Sequence, residues 1–281
     1  MSEFVKRTLS GAVFVAAVVG SILWSSYAFN ALFLLFCVLA VDEFHRLVRS
    51  PRALRIYSFF DTLILWAAVF CLPWQPFALT FAFSYILFTI FALLDEIWNT
   101  SDKPLRNWGN LLISQIMIAL PMATLGVLYY LDKWLLLALF VLIWVNDTGA
   151  YCVGTSTARL PKGNHKMAPH ISPKKSWEGL IGGFVFAMAA ALLLHYFGWF
   201  GSIASPATGA LVPCLFAVLV SAFGTMGDLM ESLLKRHVGV KDSGRFLPGH
   251  GGALDRFDSV LLAGPIITVF CWICYLIVPL F

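Results

Sequence analysis

The feature that most constrains this chain is a series of apolar stretches, each about as long as a lipid bilayer is thick. A helix needs about 20 mainly apolar residues to cross the hydrocarbon core. Of the 281 residues, 60% are hydrophobic and only 12% are charged, whereas soluble domains are about 45–50% apolar. The pattern predicts an all-α polytopic integral membrane protein, folded as a helical bundle.

Nine candidate transmembrane spans are predicted, at about 11–24, 28–45, 57–73, 77–95, 112–130, 134–152, 179–198, 208–227 and 259–280. The first two are the weakest, because only the segment SSYAFN separates them, and they form either a tight helical pair or one long tilted span. The first run lacks an A-x-A-like cleavage site, so we expect a retained span and not a signal peptide.

The placement of basic residues predicts the orientation. With nine spans and a cytoplasmic N-terminus, eighteen of the nineteen Lys and Arg residues fall in cytoplasmic segments, and only Lys133 falls outside. Such an excess is typical of the cytoplasmic side. We therefore expect the N-terminus in the cytoplasm, the C-terminus outside and, in a bacterium, a location in the cytoplasmic membrane. The net charge of +4 is explained by this topology and by the attraction of basic residues to anionic lipid headgroups. No nucleic-acid partner is therefore predicted.

The polar chemistry is concentrated in the second half of the chain. Residues 1–110 are predicted to form an N-terminal region of about four spans, and residues 111–281 a region with two long cytosolic loops, 153–178 and 228–258. Seven of the fifteen acidic residues lie in or beside these loops: Asp147, Glu178, Asp228, Glu231, Asp242, Asp255 and Asp258. P-loop, H-E-x-x-H, G-x-S-x-G and zinc-type patterns are absent from the sequence.

Two groups of carboxylates flank the second loop. Asp228, Glu231, Ser232 and Lys235 are three or four residues apart and share one predicted helical face. Asp255 and Asp258 begin the last helix, where the helix dipole tolerates negative charge. If the two helix ends meet, their oxygens suit a hard cation such as Mg²⁺. For each acid alone, an ion pair or a dipole complement is as good an explanation as a metal site. Ionisable groups at span ends nevertheless usually mark a functional site.

The segment between these carboxylates is rich in glycine and basic residues. Glycines let backbone N–H groups approach a ligand closely, and such groups bind phosphate oxygens. Basic side chains supply countercharge. The segment combines Gly244, Gly249, Gly251 and Gly252 with Lys235, Arg236, Lys241 and Arg245. Lys174 and Lys175 of the other loop are predicted to reach the same membrane face, as is Asp147.

The stretch SLLKRHVGVKDSGRFLPGHGGALDRFDS closely resembles the signature of phosphatidate cytidylyltransferases, also called CDP-diacylglycerol synthases. The matching positions are Ser232, Lys235–Arg236, Lys241–Asp242, His250–Gly252, Asp255–Arg256 and Asp258. SPKKSWEG and the N-D-x-G-A-Y element also resemble that family, while the N-terminal third matches it only in hydropathy. The resemblance implies a nucleotidyltransferase of phospholipid biosynthesis that converts CTP and phosphatidic acid into CDP-diacylglycerol and pyrophosphate.

The resemblance also implies roles for individual residues. Asp228, Asp255 and Asp258 are expected to bind Mg²⁺, with room for a second cation, and Lys235 and Arg256 to complete the catalytic group. The expected substrate-binding residues are Asp147, Lys174, Lys175, Ser232, Arg236, Lys241, Asp242, Gly249, His250, Gly251 and Gly252. CTP, phosphatidic acid and membrane lipids are the expected partners, and a homodimer is common in the family.

Other kinds of function remain as alternatives at this point. A cation-coupled membrane transporter would also place carboxylates in helices, but usually near the bilayer midplane on broken helices. A headgroup transferase that uses CDP-activated lipid would show spaced aspartates that this chain lacks. A structural scaffold would leave the glycine and carboxylate loop unexplained.

Overall fold

The computed structural model describes residues 3–98, 102–161, 163–205, 208–244, 246 and 251–277. Within these residues the fold is helical apart from one small β-hairpin. The helices are α1 (Glu3–Trp24), α2 (Ser26–Leu47), α3 (Arg52–Phe70), α4 (Gln75–Asp95), α5 (Pro104–Ser114), α6 (Leu120–Leu131), α7 (Lys133–Thr157), α8 (Trp177–Tyr196), α9 (Leu211–His237), α10 (Leu254–Phe257) and α11 (Val260–Ile277). One π-helical turn, Gln115–Ala119, joins α5 to α6.

The described helices confirm the predicted all-α membrane fold. Within the described residues, eight helical segments are long and apolar enough to cross a bilayer, where about nine were predicted: Ser26–Leu47, Arg52–Phe70, Gln75–Asp95, Pro104–Leu131, Lys133–Thr157, Trp177–Tyr196, Leu211–His237 and Leu254–Ile277. The first predicted span lies within α1 (Glu3–Trp24), whose apolar part includes Thr8–Trp24. The first two predicted spans do not form one long helix. Ser25, at the start of the segment SSYAFN, interrupts the helix, and its side chain caps α2 by accepting from the Ala28 N–H.

The chain divides into two compact units. Unit 1 contains residues 1–130 and 238–257, and unit 2 contains residues 131–237 and 258–281. The core of unit 1 includes an aromatic cluster in which Phe257, from the short helix α10, packs against Phe14, Phe33 and Phe36 with ring centroids 5.2–6.0 Å apart. This packing ties the end of the glycine-rich segment to α1 and α2.

Unit 2 is built around α7, whose residues Leu135–Phe140 are all buried. Helices α7 and α8 pack closely because small residues leave room for the neighbouring chain. A methyl group on Gly182 would lie 2.4 Å from a Val153 methyl, and one on Gly183 would lie 2.7 Å from the Asn146 carbonyl oxygen. Small residues at such contacts are typical of helix pairs in membranes.

A two-stranded hairpin interrupts the helices of unit 2. Strand β1 (Lys166–Ala168) pairs antiparallel with β2 (Ser172–Ser176), and Lys166 faces Ser176. This segment belongs to the predicted cytosolic loop 153–178, for which no strand is predicted. The hairpin leads directly into α8, where Ser176 caps the helix by accepting from the Gly179 N–H at 3.1 Å.

Candidate active site

Unit 2 contains a cavity of about 340 Å³ where α7, the hairpin and α9 approach one another. We call it the α7–α9 cavity. Its polar lining includes Asp147 from α7, Lys174 and Lys175 from β2, and Asp228 from α9. Two carboxylates and two ammonium groups from three separate chain segments therefore face one space, and all four belong to the predicted site.

Asp228 is held by a basic and a hydroxyl side chain. The Lys175 ammonium lies 2.6 Å from Asp228 Oδ2, and the Ser232 hydroxyl donates to Asp228 Oδ1 at 3.2 Å. Lys175 also donates to the Thr225 carbonyl at 3.3 Å. The side chains of Lys175 and Asp228 are 22% and 32% exposed, so solvent and solutes reach this ion pair.

Asp258 lies close to the same group. It is within electrostatic range of Asp228, Asp147 and Lys235, and its Oδ1 accepts the Ser259 N–H at 2.6 Å. The approach depends on Gly227, because a methyl group there would lie 2.5 Å from the Asp258 carbonyl oxygen. The close contact between α9 and the start of α11 thus concentrates negative charge beside Lys235.

The remaining α9 residues of the predicted site, Lys235 and Arg236, make contacts that stabilise the structure around these carboxylates. Lys235 pairs with Glu231 in an ion pair whose side chains are only 11% and 1% exposed. Breaking a buried pair is costly, because it leaves an uncompensated charge. Arg236 donates from Nε to the Ile171 carbonyl at 3.2 Å and so attaches the turn of the hairpin to α9.

The predicted residues beyond α9 lie partly in unit 1. Asp255 is buried, and its Oδ2 accepts three hydrogen bonds, from the Ser243 N–H, the Ser243 hydroxyl and the Gly252 N–H, at 2.8, 2.9 and 2.8 Å. A metal that bound through Oδ2 would have to displace these donors. Gly251 has a φ of 85°, which favours glycine.

The other unit 1 residues of the predicted site differ in exposure. Lys241 and Asp242 are exposed. Arg256 is half-buried, and its Nε is buried without a hydrogen-bond partner among the described residues. Gly249 and His250 lie outside the described residues.

Glu43 of α2, which was not predicted as a site residue, contacts the same part of unit 1 as Asp255. Its carboxylate accepts the N–H groups of Ala253 and Leu254 and the Ser243 hydroxyl, each at 3.0 Å. Methyl groups on Gly244 or Gly252 would lie 2.4 or 2.3 Å from its oxygens. The only sequence signal for Glu43 is an acidic pair, Asp42–Glu43, near the end of a strongly apolar helix.

Within the described residues, no three His, Cys, Asp or Glu side chains are close enough together to hold a metal ion as they stand. The donor chemistry of unit 2 nevertheless suits Mg²⁺, because Asp147 and Asp228 line one cavity and Asp258 is within electrostatic range of both. Carboxylate oxygens are preferred ligands of this ion.

The chain is similar to one protein-family model and to several known proteins. The model described as the cytidylyltransferase family matches residues 5–274. The chain is 44% identical over 130 residues to the phosphatidate cytidylyltransferases of Staphylococcus haemolyticus (strain JCSC1435) and Staphylococcus aureus (strain COL), an alignment covering 46% of this chain and 46% of each relative. The Staphylococcus epidermidis enzyme is 40% identical over 151 residues, or 52% of this chain and 54% of the relative.

The chain thus spans about half the length of the curated relatives it matches. Neither the family nor these relatives favours the transporter alternative.

Proposed function

The chain belongs to the cytidylyltransferase family, and from this premise we propose that it transfers a cytidylyl group from CTP to phosphatidic acid. An oxygen of the phosphatidate monoester attacks the α-phosphorus of CTP. The bond from that phosphorus to the oxygen bridging it to the β-phosphate breaks, so that CDP-diacylglycerol forms and pyrophosphate leaves. The observation that carries the proposal is the α7–α9 cavity, where carboxylates and lysines face one space.

The main difficulty of this reaction is electrostatic. A phosphate monoester carries a charge of about −1.5 to −2 near neutral pH, so the nucleophile needs little help from a base, but it must approach a highly anionic nucleotide. Lys174 and Lys175 line the cavity and are suited to binding phosphate oxygens. We assign them to the phosphates of the substrates.

We propose that the Lys175–Asp228 ion pair couples substrate binding to metal binding. Their 2.6 Å contact satisfies both charges before a ligand arrives. A bound phosphate would compete for Lys175 and release Asp228 for a cation. Mg²⁺, when bound, would neutralise phosphate charge and align the in-line displacement.

Asp228 and Asp258 are the proposed metal-binding residues in unit 2, with Asp147 beside them. Ser232 orients Asp228 through its 3.2 Å hydrogen bond, and Lys235, which pairs with Glu231, is within electrostatic range of Asp258. Asp255 remains a predicted third ligand, and a second cation remains a prediction.

The glycine-rich segment is proposed to contact phosphate groups. Lys241, Asp242 and the turn at Gly249, His250, Gly251 and Gly252 keep their predicted roles in substrate binding. The Arg256 guanidinium, whose buried Nε has no partner among the described residues, is suited to a phosphate oxygen.

The apolar helices make the chain an integral membrane protein. We propose the bacterial cytoplasmic membrane as its location, with the site facing the cytosol where CTP is available, and a homodimer as its assembly. The acyl chains of phosphatidic acid would then stay in the bilayer while the nucleotide enters from water.

The test is a turnover assay with purified protein, phosphatidic acid and labelled CTP, with and without Mg²⁺. Labelled CDP-diacylglycerol should form only with the metal. Lys175→Met should lower kcat/KM by about ten- to a hundredfold, because charged hydrogen bonds contribute about 1.5–3 kcal/mol. Lys133→Met is the matched control, since Lys133 begins α7, about 20 Å along the helix from Asp147 at 1.5 Å per residue.

Two results would count against the proposal. If several phosphatidate species gave no product with folded wild-type protein, the reaction would be wrong. If Lys175→Met and Lys133→Met behaved alike, the cavity would not be the site.

A further inference from the structure

Unit 1 contains a second cavity, a groove of about 470 Å³ between α2 and α3. It shares no residue with the α7–α9 cavity. One end is polar and is formed by Asp42, Arg52 and Arg55. The remaining walls are apolar: Val38, Leu39, Val41, Ile56, Phe59 and Phe60. A groove with one charged end and a long apolar wall matches an amphipathic ligand.

The polar end carries an excess of positive charge. Arg55 donates from Nε and Nη2 to Asp42 Oδ1 at 3.1 and 2.5 Å, and Arg46 lies 2.7 Å from Asp42 Oδ2. Asp42 is thus shared by two guanidinium groups. Arg52 is exposed and forms no ion pair within the described part of the chain. Two arginines and one carboxylate line this end, and Arg46 pairs with that carboxylate from outside the lining, so the end is cationic.

Part of the apolar wall is the exposed face of a helix that is long and apolar enough to span the membrane. Arg52, Arg55, Ile56, Phe59 and Phe60 recur at helical spacing along one face of α3, which begins at Arg52. Phe59 and Phe60 are 41% and 48% exposed. The span Arg52–Phe70 therefore places its arginines at the membrane boundary, where headgroups lie, and its phenylalanine rings deeper, where acyl chains lie.

We propose that this groove binds an anionic membrane phospholipid, with the phosphate on Arg52 and Arg55 and one acyl chain along Phe59 and Phe60. Guanidinium groups bind phosphate oxygens in a bidentate manner, and Asp42 already fixes the orientation of Arg55. A nucleotide is a poorer match, because the walls offer an acyl chain apolar contact but offer a base few polar partners. The inference does not rest on the proposed reaction.

The experiment is native mass spectrometry of the full chain in neutral detergent. The protein is incubated with phosphatidylglycerol or with phosphatidylcholine of identical acyl chains, neither of which is the proposed substrate. Wild-type protein should retain phosphatidylglycerol preferentially. Arg52→Ala should reduce this retention about fivefold, since one basic residue near a membrane surface contributes about that factor.

The matched control is Arg106→Ala. Arg106 is also exposed and lies in the first turn of α5, at the start of another span of unit 1, but it is not in the groove. Thermal unfolding in detergent checks that each variant is folded, and Phe60→Ala provides a second variant that leaves the charge intact. Equal losses for Arg52→Ala and Arg106→Ala would show general attraction and overturn the proposal. Equal retention of the two lipids would overturn it as well.

Discussion

In unit 1 the carboxylates of Glu43 and Asp255 are held largely by backbone N–H groups, whereas in unit 2 the carboxylate of Asp228 is held by side chains. Glu43 and Asp255 each accept two backbone N–H groups, and the two carboxylates share the single hydroxyl donor of Ser243. Asp228 accepts from Ser232 and pairs with Lys175. A backbone donor cannot leave without a change of fold, but a lysine can exchange one anion for another.

The comparison separates two uses of the same functional group. The unit 1 carboxylates determine the path of the glycine-rich segment, and we expect their removal to affect stability first. The unit 2 carboxylates contact groups that a substrate can also bind, and we expect their removal to affect turnover first. Three substitutions test this difference.

The largest effect is expected for Asp228→Asn. The amide keeps the size of the side chain and can still accept from Ser232, but it loses the charge that pairs with Lys175 and that would bind Mg²⁺. A bound metal stabilises transition-state charge by several kcal/mol, so turnover should fall by about 10²–10³-fold at about 1.4 kcal/mol per factor of ten. Turnover and thermal unfolding should be measured on the same preparation. Retained turnover, or a loss explained by unfolding, would contradict the comparison.

Gly252→Ala should show the opposite pattern, with stability lost first. The added methyl would lie 2.3 Å from both Glu43 Oε2 and Ser243 Oγ, so the segment must shift. Overpacking of this kind costs about 1–3 kcal/mol. Thermal unfolding in detergent measures the loss.

Gly20→Ala is the matched control in the same unit, since a methyl at Gly20 meets nothing within 4 Å. Alanine in a helix interior is favoured over glycine by about 0.5–1 kcal/mol, so this control should be neutral or stabilising. If the two alanine variants were equally stable, the close packing around Glu43 would be wrong.

The helical fold and part of the site could be predicted because they depend on local sequence. Apolar length determines a span, and helical spacing places Asp228 and Ser232 together, as their hydrogen bond shows. The hairpin was missed because its strands have three and five residues and show no alternation of apolar residues. Glu43 was missed because its partners lie 200 to 211 positions later in the chain, and no local pattern reports a contact of that range.

Glu43→Gln is the subtlest test of the comparison. The amide keeps the shape but replaces one carboxylate oxygen by a donor, so it cannot accept from Ala253, Leu254 and Ser243 together. Charged hydrogen bonds contribute about 1.5–3 kcal/mol and neutral ones about 1 kcal/mol, so a loss of about 1–2 kcal/mol in unfolding free energy is expected. Any rise in the KM for CTP should be modest and should accompany the loss of stability, because Glu43 positions the substrate-binding segment without occupying the α7–α9 cavity. Glu43→Asp keeps the charge but shortens the side chain, and it should restore part of the stability. An unchanged unfolding temperature in Glu43→Gln, with a large rise in KM, would instead identify Glu43 as a substrate-binding residue and remove the distinction between the two units.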